Sequence, residues 1–285
     1  MINVKITDLE KTIDNFSKYQ KEQGKSDNTI KTYVGVLKKF QLWLTTKDIT
    51  LEQISKNEVQ SYIDYLEQQQ KNAGTIEKYL AAISIFTRFL GKSEIILDIR
   101  HKEKIKDSEI PNSLEKDEEK QLLFEVKSEE NLRNIAIVYT LLYTGIRVSE
   151  LCALNLNDIK MIDKKGKLLV KNKQEEIERI IPLSTEVSKH LKNYINSLNA
   201  ANKKQPLFIS SVNKRISTRA VQYILQKYNV NPHKLRHTFC QKLINNGIDI
   251  NAVAKLAGHK DINVTKRYAS VFEPNLEDAI EQTFS

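Results

Sequence analysis

The sequence predicts a mainly α-helical protein with a small β-hairpin or sheet, organised as two domains. Three observations carry this. The 285 residues include only 8 Gly and 5 Pro and are rich in Leu, Ile, Lys, Glu and Gln, which favours helix or breaks it little. Apolar residues recur at helical spacing through most of the chain. Residues 98–112, DIRHKEKIKDSEIPN, interrupt that pattern with charges of both signs and a proline, and offer little to bury, which predicts a linker between two separately packed parts.

Residues 1–97 predict a helical bundle. Leu9, Ile13, Phe16 and Tyr19 make one apolar stripe. After a break at residues 24–28, Ile30, Tyr33, Val34, Leu37, Phe40, Trp43 and Leu44 make a longer one. Ser55, with Glu58 three residues on, is a capping box that opens a third helix carrying Val59, Tyr62, Ile63 and Leu66. Thr75 opens a fourth, with Ile76, Tyr79, Leu80, Ile83, Phe86 and Leu90 on its face and Gly91 as its stop. Aromatic residues at this spacing read as core rather than as a cofactor site.

Residues 113–285 predict the second domain, where helical periodicity resumes at Leu114. Residues 131–144 form a strongly apolar helix, with Ile135, Ile137, Val138, Leu141 and Leu142 central to the core and Thr144-Gly145 as its end. Residues 167–171 and 177–181 hold apolar β-formers on either side of a polar tip, a hairpin that Pro182 ends. Helices follow over 184–198, 217–228, 234–246 and 250–257, with a short one at 263–269. The tail, 276–284, is amphipathic with little sequence left to pack against. There is no internal repeat and no low-complexity tract.

Bulk properties narrow the function. With 40% hydrophobic and 28% charged residues the chain reads as a soluble globular protein, and no run approaches the roughly 18 apolar residues of a membrane helix. The N-terminus lacks the basic-then-apolar layout of a secretory signal. Cys152 and Cys240 lie far apart without metal-ligand spacing, which fits free thiols in a reducing cytoplasm. The net charge of +9 is uneven: residues 160–236 hold 17 Lys and Arg against 5 Asp and Glu, a net +12. Such a stretch is costly to keep compact unless something neutralises it, and nucleic-acid backbone is the usual counterpart.

No Gly-rich phosphate loop of the GxxxxGK type is present, which argues against ATP-driven chemistry, and no Asp/Glu cluster offers an obvious two-metal site. His233 and His237, four apart, could share a helix face, but a third ligand is not evident and Arg236 between them would repel a cation. No metal and no cofactor is therefore expected. What remains in the basic half is Arg147 after a Thr-Gly turn, Lys171 and Lys173 at the hairpin tip, His233-Lys-Leu-Arg236-His237, Gly258-His259 and Lys266-Arg267-Tyr268. Two arginines on separate elements can clamp the non-bridging oxygens of one phosphodiester. A histidine can move a proton near neutral pH. A tyrosine hydroxyl becomes a nucleophile once its proton is taken or a cationic pocket favours phenolate, and a lysine can give a proton to the leaving oxygen. Together these supply metal-free transesterification at a phosphate. Each residue alone has an ordinary structural reading, so their order and surroundings carry the case.

In that order, Thr144-Gly-Ile-Arg147-Val-Ser-Glu150-Leu, His233-Lys-Leu-Arg236-His237-Thr-Phe, Leu256-Ala-Gly-His259 and Tyr268-Ala closely resemble the motifs of the tyrosine recombinase (phage integrase) family. The resemblance covers the second half throughout and extends more loosely to the N-terminal helices, which are similar to the family's core-binding, SAM-like domain. It implies that Arg147 and Arg236 clamp the phosphate, His233 is the general acid/base, His259 hydrogen-bonds the scissile phosphate and Tyr268 is the nucleophile. Glu150 matches an acidic position that would orient Arg147 or His233. The lysine match is looser. The family's hairpin reads Gly-Lys-Gly-x-Lys-x-Arg, whereas residues 170–183 here lack those glycines and have a tip one residue longer. Anchoring on Gly166 and the first strand selects Lys173 as the catalytic lysine, with Lys171, of the same strand parity, as the alternative. Glu175, Glu176 and Glu178 are unexpected on a DNA-facing hairpin.

The implied reaction joins Tyr268 to a DNA 3′ phosphate while Lys173 protonates the departing 5′ oxygen. A 5′ hydroxyl from a second DNA then attacks that link. The two domains would close as a clamp around duplex DNA carrying a specific recombination site. Four protomers would act on two sites, with the 276–284 tail docked as a helix into a neighbour. A second recombinase or an activator is left open as a further partner. The few residues before the first helix fit a Xer-like or transposon-borne enzyme better than one with an extra arm-binding domain. A DNA-binding protein of this fold that no longer cuts is the alternative from another class, against which the intact Arg, His, Arg, His, Tyr set argues. A type IB-like topoisomerase would require neither the helical module nor the tail.

Overall fold

Four helices build the first part of the chain, α1 (Ile2–Glu22), α2 (Asp27–Thr45), α3 (Lys56–Gln68) and α4 (Ala73–Phe89), the last three opened by the capping side chains of Ser26, Ser55 and Asn72. The computed structural model describes residues 2–102, 112–162, 165–198 and 202–269. Contacts divide the chain into two units, parted between Lys106 and Asp107. In the first unit, Ser26 Oγ accepts from Thr29 N, and Glu58 Oε2 accepts from Ser55 N at 2.8 Å to complete the expected capping box of α3. Helix α4 starts two residues before Thr75, because Asn72 Oδ1 accepts the Thr75 N–H at 2.8 Å and takes the cap position.

The apolar stripes of these helices meet in one core. Phe16, Leu37, Phe40, Leu44, Ile63, Ile76, Ile83 and Phe86 are fully buried. Phe16 meets Phe86 edge-on at 5.3 Å between centroids. The start of the expected linker is tied to α3: Gln60 exchanges two hydrogen bonds with the Arg100 backbone, at 2.8 and 2.9 Å, and Lys102 N donates to Glu67 Oε1 at 2.7 Å. Residues 103–111 and the 276–284 tail lie outside the described residues.

The second unit begins with α5 (Lys116–Ser128), α6 (Leu132–Thr144) and α7 (Val148–Ala153). A three-stranded antiparallel sheet follows, β1 (Ile159–Ile162), β2 (Lys165–Lys171) and β3 (Ile177–Leu183), in the order β1-β2-β3. Then come α8 (Thr185–Ser197), α9 (Thr218–Gln226), α10 (Pro232–Asn245), α11 (Ile250–Ala257) and α12 (Asn263–Ala269). Helix α6 is buried along most of its length and packs against α8 and α10, so it is the centre of the core as its composition predicts. Strand β1 is not foreseen by the sequence reading; four residues are too few for a clear alternation. Pro182 does not end the hairpin: β3 continues through it to Leu183, because β3 is an edge strand and tolerates a residue without an N–H.

Helix α10 begins at Pro232 rather than at residue 234. Asn231 Oδ1 accepts from Lys234 N at 2.9 Å, and proline suits the first helical position. His233 therefore falls in the first turn. Among the described residues no helix is long and apolar enough to cross a membrane.

Candidate active site

Gly145 closes α6 in the left-handed region, φ 60°, and a Cβ there would lie 2.2 Å from the Phe239 ring, so the end of α6 sits directly on α10. The Gly145 carbonyl accepts from Arg236 Nη1 at 2.6 Å, which brings the α10 arginine, nearly buried, to this turn. Two residues on, Arg147 caps α7. Glu150 Oε2 accepts the Arg147 N–H at 2.7 Å, and Glu150 Oε1 accepts from Arg147 Nη1 at 2.9 Å. Arg147 Nη2 donates to the Gly258 carbonyl at 2.6 Å, so the end of α11 joins the same turn.

Gly258 ends α11 at φ 70° and delivers His259, whose Nδ1 shares a hydrogen bond of 2.7 Å with Thr265 Oγ1. Burial, and then the charges of Arg236 and Arg147, push this imidazole down to about 4, so it is neutral at pH 7. Glu150 behaves oppositely: burial raises its carboxyl, but the guanidiniums of Arg179 and Arg147 outweigh that and hold it below the ordinary range.

Tyr268, on α12, is 1% exposed and packs in a small apolar cluster with Phe239, Cys240, Ile244, Val253 and Ala257. Its hydroxyl hydrogen-bonds His237 Nδ1, and its ring lies parallel to His259 with centroids 6.5 Å apart. Burial raises the phenol well above its usual value, with Arg236 and Arg267 pulling the other way, so the hydroxyl keeps its proton where it lies. Burial, then His233, Arg236 and Arg267, lower His237, which leaves a neutral ring to accept that hydrogen bond.

Arg147, Glu150, Arg236, His259 and Tyr268 thus come together from α6–α7, α10, the end of α11 and α12. Among the described residues, Lys173 and His233 are exposed and are not hydrogen-bonded into this group. Lys173 lies in the exposed turn after β2, a turn held by Asn172 Oδ1, which accepts from Gln174 N and Glu176 N at 2.9 and 3.0 Å. Lys171 is the last residue of β2 and pairs with the buried Asp158 at 2.7 Å and with Glu175 at 3.6 Å. Strand pairing shifts register between Val170 and Lys171, and Lys173 is in the turn, so the shared strand parity expected of the two lysines does not hold. His233 is exposed, and among the described residues it makes no hydrogen bond to the other site residues.

The sequence reading passed over three residues at the site. Arg179 is buried and forks onto Glu150 at 2.6 and 3.2 Å. A signal was there: in β3 the inward parity runs through 179, 181 and 183, and a charge on a core-facing strand position needs a partner. His237 stands in the sequence motif without a role of its own, although its place four residues after His233 puts it one turn along α10. Nothing in the sequence marked Cys240 as a neighbour of Tyr268.

Both parts of the chain are similar to known proteins. The description "Phage integrase family" matches residues 112–274, and "Phage integrase, N-terminal SAM-like domain" matches residues 13–94. The chain is 30% identical to "Tyrosine recombinase XerA" of Pyrococcus furiosus, over 95% of this chain and 93% of that protein. It is 28% identical to "TnP I resolvase" of Bacillus thuringiensis, over 93% of this chain and 97% of that one. Among solved structures, its fold is similar to that of the XerH site-specific recombinase bound to palindromic difH substrate in a post-cleavage complex, with a TM-score of 0.71 at 19% identity, covering 96% of this chain and 83% of that one.

Proposed function

The chain belongs to the phage integrase family and is a site-specific tyrosine recombinase, and from that premise we propose how its residues divide the work. Arg147 and Arg236 clamp the non-bridging oxygens of a scissile phosphate in duplex DNA, with His259 as a third contact. The Tyr268 oxygen forms a bond to phosphorus as the bond to the 5′ oxygen breaks. Lys173 supplies the proton to that oxygen, and the phenol's own proton passes to the histidines of α10, His237 or the general acid/base His233. The resulting 3′-phosphotyrosine is resolved by the 5′ hydroxyl of a second strand. Neither ATP nor a divalent metal enters this scheme.

The observation that carries the reading is the meeting of two guanidiniums at one turn, with Arg236 on the Gly145 carbonyl and Arg147 two residues later, near Tyr268 of α12. Because Tyr268 is buried, α12 has to shift before a phosphate can reach the phenol. Residues 1–97 and 113–285 act as the two jaws of a clamp on DNA, joined by 98–112. Four protomers assemble on two sites, the 276–284 tail linking neighbours. The work, done in the cytoplasm, is that of a Xer-like dimer resolvase or a mobile-element resolvase or integrase.

The test is covalent capture. Purified protein is incubated in EDTA with fragmented genomic DNA from its source and denatured, and the attached DNA is sequenced, with Tyr268→Phe in parallel. The wild type captures a discrete site and the variant none. Absence of both adduct and site-specific binding overturns the reading. Arg147→Ala and Arg236→Ala each slow adduct formation about 100- to 1000-fold, as for loss of one donor to a transition state.

A further inference from the structure

We propose that Arg179 is a positioning residue for strand cleavage: it counterbalances Glu150, so that the carboxylate fixes Arg147 without cancelling its charge. This rests on the reading of Arg147 and Arg236 as the phosphate clamp.

Arg179 projects from the inward face of β3 and is 6% exposed. A guanidinium there is costly unless it is fully partnered. Its fork meets both oxygens of Glu150, Nη2 to Oε2 at 2.6 Å and Nη1 to Oε1 at 3.2 Å. Its Nε donates to the Leu256 carbonyl at 2.9 Å. Glu178, at 3.9 Å and largely in solvent, adds little. The guanidinium also lies against Gly258, where a Cβ would come within 2.7 Å of Nη1 and 2.8 Å of Cζ, so only glycine leaves it room. Arg147 reaches the same two groups from the other side, Glu150 Oε1 at 2.9 Å and the Gly258 carbonyl at 2.6 Å. One carboxylate and one turn are therefore shared by two guanidiniums on different elements.

Charge decides what this sharing does. Arg147, Arg179 and Arg236 bring three positive charges and Glu150 one negative, which leaves a surplus of two. A phosphodiester carries one negative charge, and the phosphorane-like transition state gathers a second. Without Arg179 the surplus falls to one, and the whole charge of Glu150 bears on Arg147, the more exposed member of the clamp. Glu150 alone would anchor Arg147 and weaken it at once; with Arg179 beside it, the anchor costs the clamp little.

The probe is the duplex recovered by covalent capture, synthesised with either an ordinary scissile phosphate or a neutral methylphosphonate. The latter gathers only one negative charge in its transition state and depends less on the clamp. Rates of adduct formation are compared for wild type, Arg147→Ala, Arg179→Met, Arg179→Lys and the double variant Arg179→Met/Glu150→Gln. Arg147→Ala and Arg179→Met each lose about 100-fold on the phosphodiester and regain most of it on the methylphosphonate. Glu150→Gln restores about 10-fold to Arg179→Met by removing the charge left uncompensated. Arg179→Lys, which keeps the charge but not the fork, falls between. If Arg179→Met does not fold, Arg179→Gln, neutral but still able to hydrogen-bond Glu150, makes the same comparisons. If Arg147→Ala gains on the neutral substrate and the Arg179 variants do not, or Glu150→Gln restores nothing, Arg179 is scaffold only and the proposal fails. If Arg147→Ala itself gains nothing, the clamp reading fails and takes this one with it.

Discussion

Burial lowers the proton affinity of His259 and His237, and His259 shows what that does to the fold. Its imidazole sits at about 4 in the folded chain, against about 6.5 for an unperturbed histidine. The folded state therefore refuses a proton that the unfolded chain accepts. The contribution is complete above the unfolded value and is lost as pH falls from about 6.5 toward 4. His237, lowered by burial too, acts in the same direction. Urea unfolding is expected to show a lower midpoint at pH 5 than at pH 7.5, and His259→Gln to flatten that difference; an unchanged slope would remove His259 as its source. Arg147, Arg236, His259 and Tyr268 were legible from sequence because their motifs keep a fixed order in one basic half. Arg179 was half legible: the parity it shares with Ile181 and Leu183 points it inward, but Ile180 offers the opposite parity until the register of β3 is known. The shared strand parity expected of Lys171 and Lys173 failed at a register shift and a turn that no local pattern encodes.

Among the elements, the end of α6 joins stability to chemistry. Gly145→Ala places a Cβ in a left-handed residue and drives it into the Phe239 ring, for a combined cost of about 2–4 kcal/mol. Gly247 is a fair control, with φ 74° and nothing within 4 Å, so its alanine variant loses only about 1 kcal/mol. A thermal melt is expected to separate the two variants by several degrees, and Gly145→Ala to slow covalent capture as well, because the displaced carbonyl holds Arg236. Equal melting temperatures would show that Phe239 moves aside freely. Helices were the most legible elements, since their stripes are long. Their starts slipped at Asn72 and Asn231, where the capping asparagine lies four residues ahead of the first apolar position of the stripe, Ile76 or Leu235. Strand β1 is only four residues long and the passage of β3 through Pro182 depends on its place at the sheet edge, neither of which periodicity reports.

The molecule as a whole keeps separate apolar cores in its two units, one built on Phe16, Phe40 and Phe86, the other on α6 and the sheet. The strongly basic stretch, residues 160–236, belongs entirely to the second unit, so the division of labour visible in the charge pattern follows the division of the cores. Both thiols of the chain are also in that unit, and both are silenced: burial pushes Cys152 and Cys240 up to about 11. Cys240 is fully buried in the same apolar cluster as Tyr268, so whatever frees the phenol also uncovers a sulfur. The chain thereby carries its own stopwatch. With maleimide at pH 8, the peptide bearing Cys240 is expected to label slowly in the free protein and faster once the captured DNA is added, while Cys152, on the buried side of α7, keeps time as the reference. A Cys240 rate indifferent to DNA would mean that the tyrosine leaves without opening the cluster behind it.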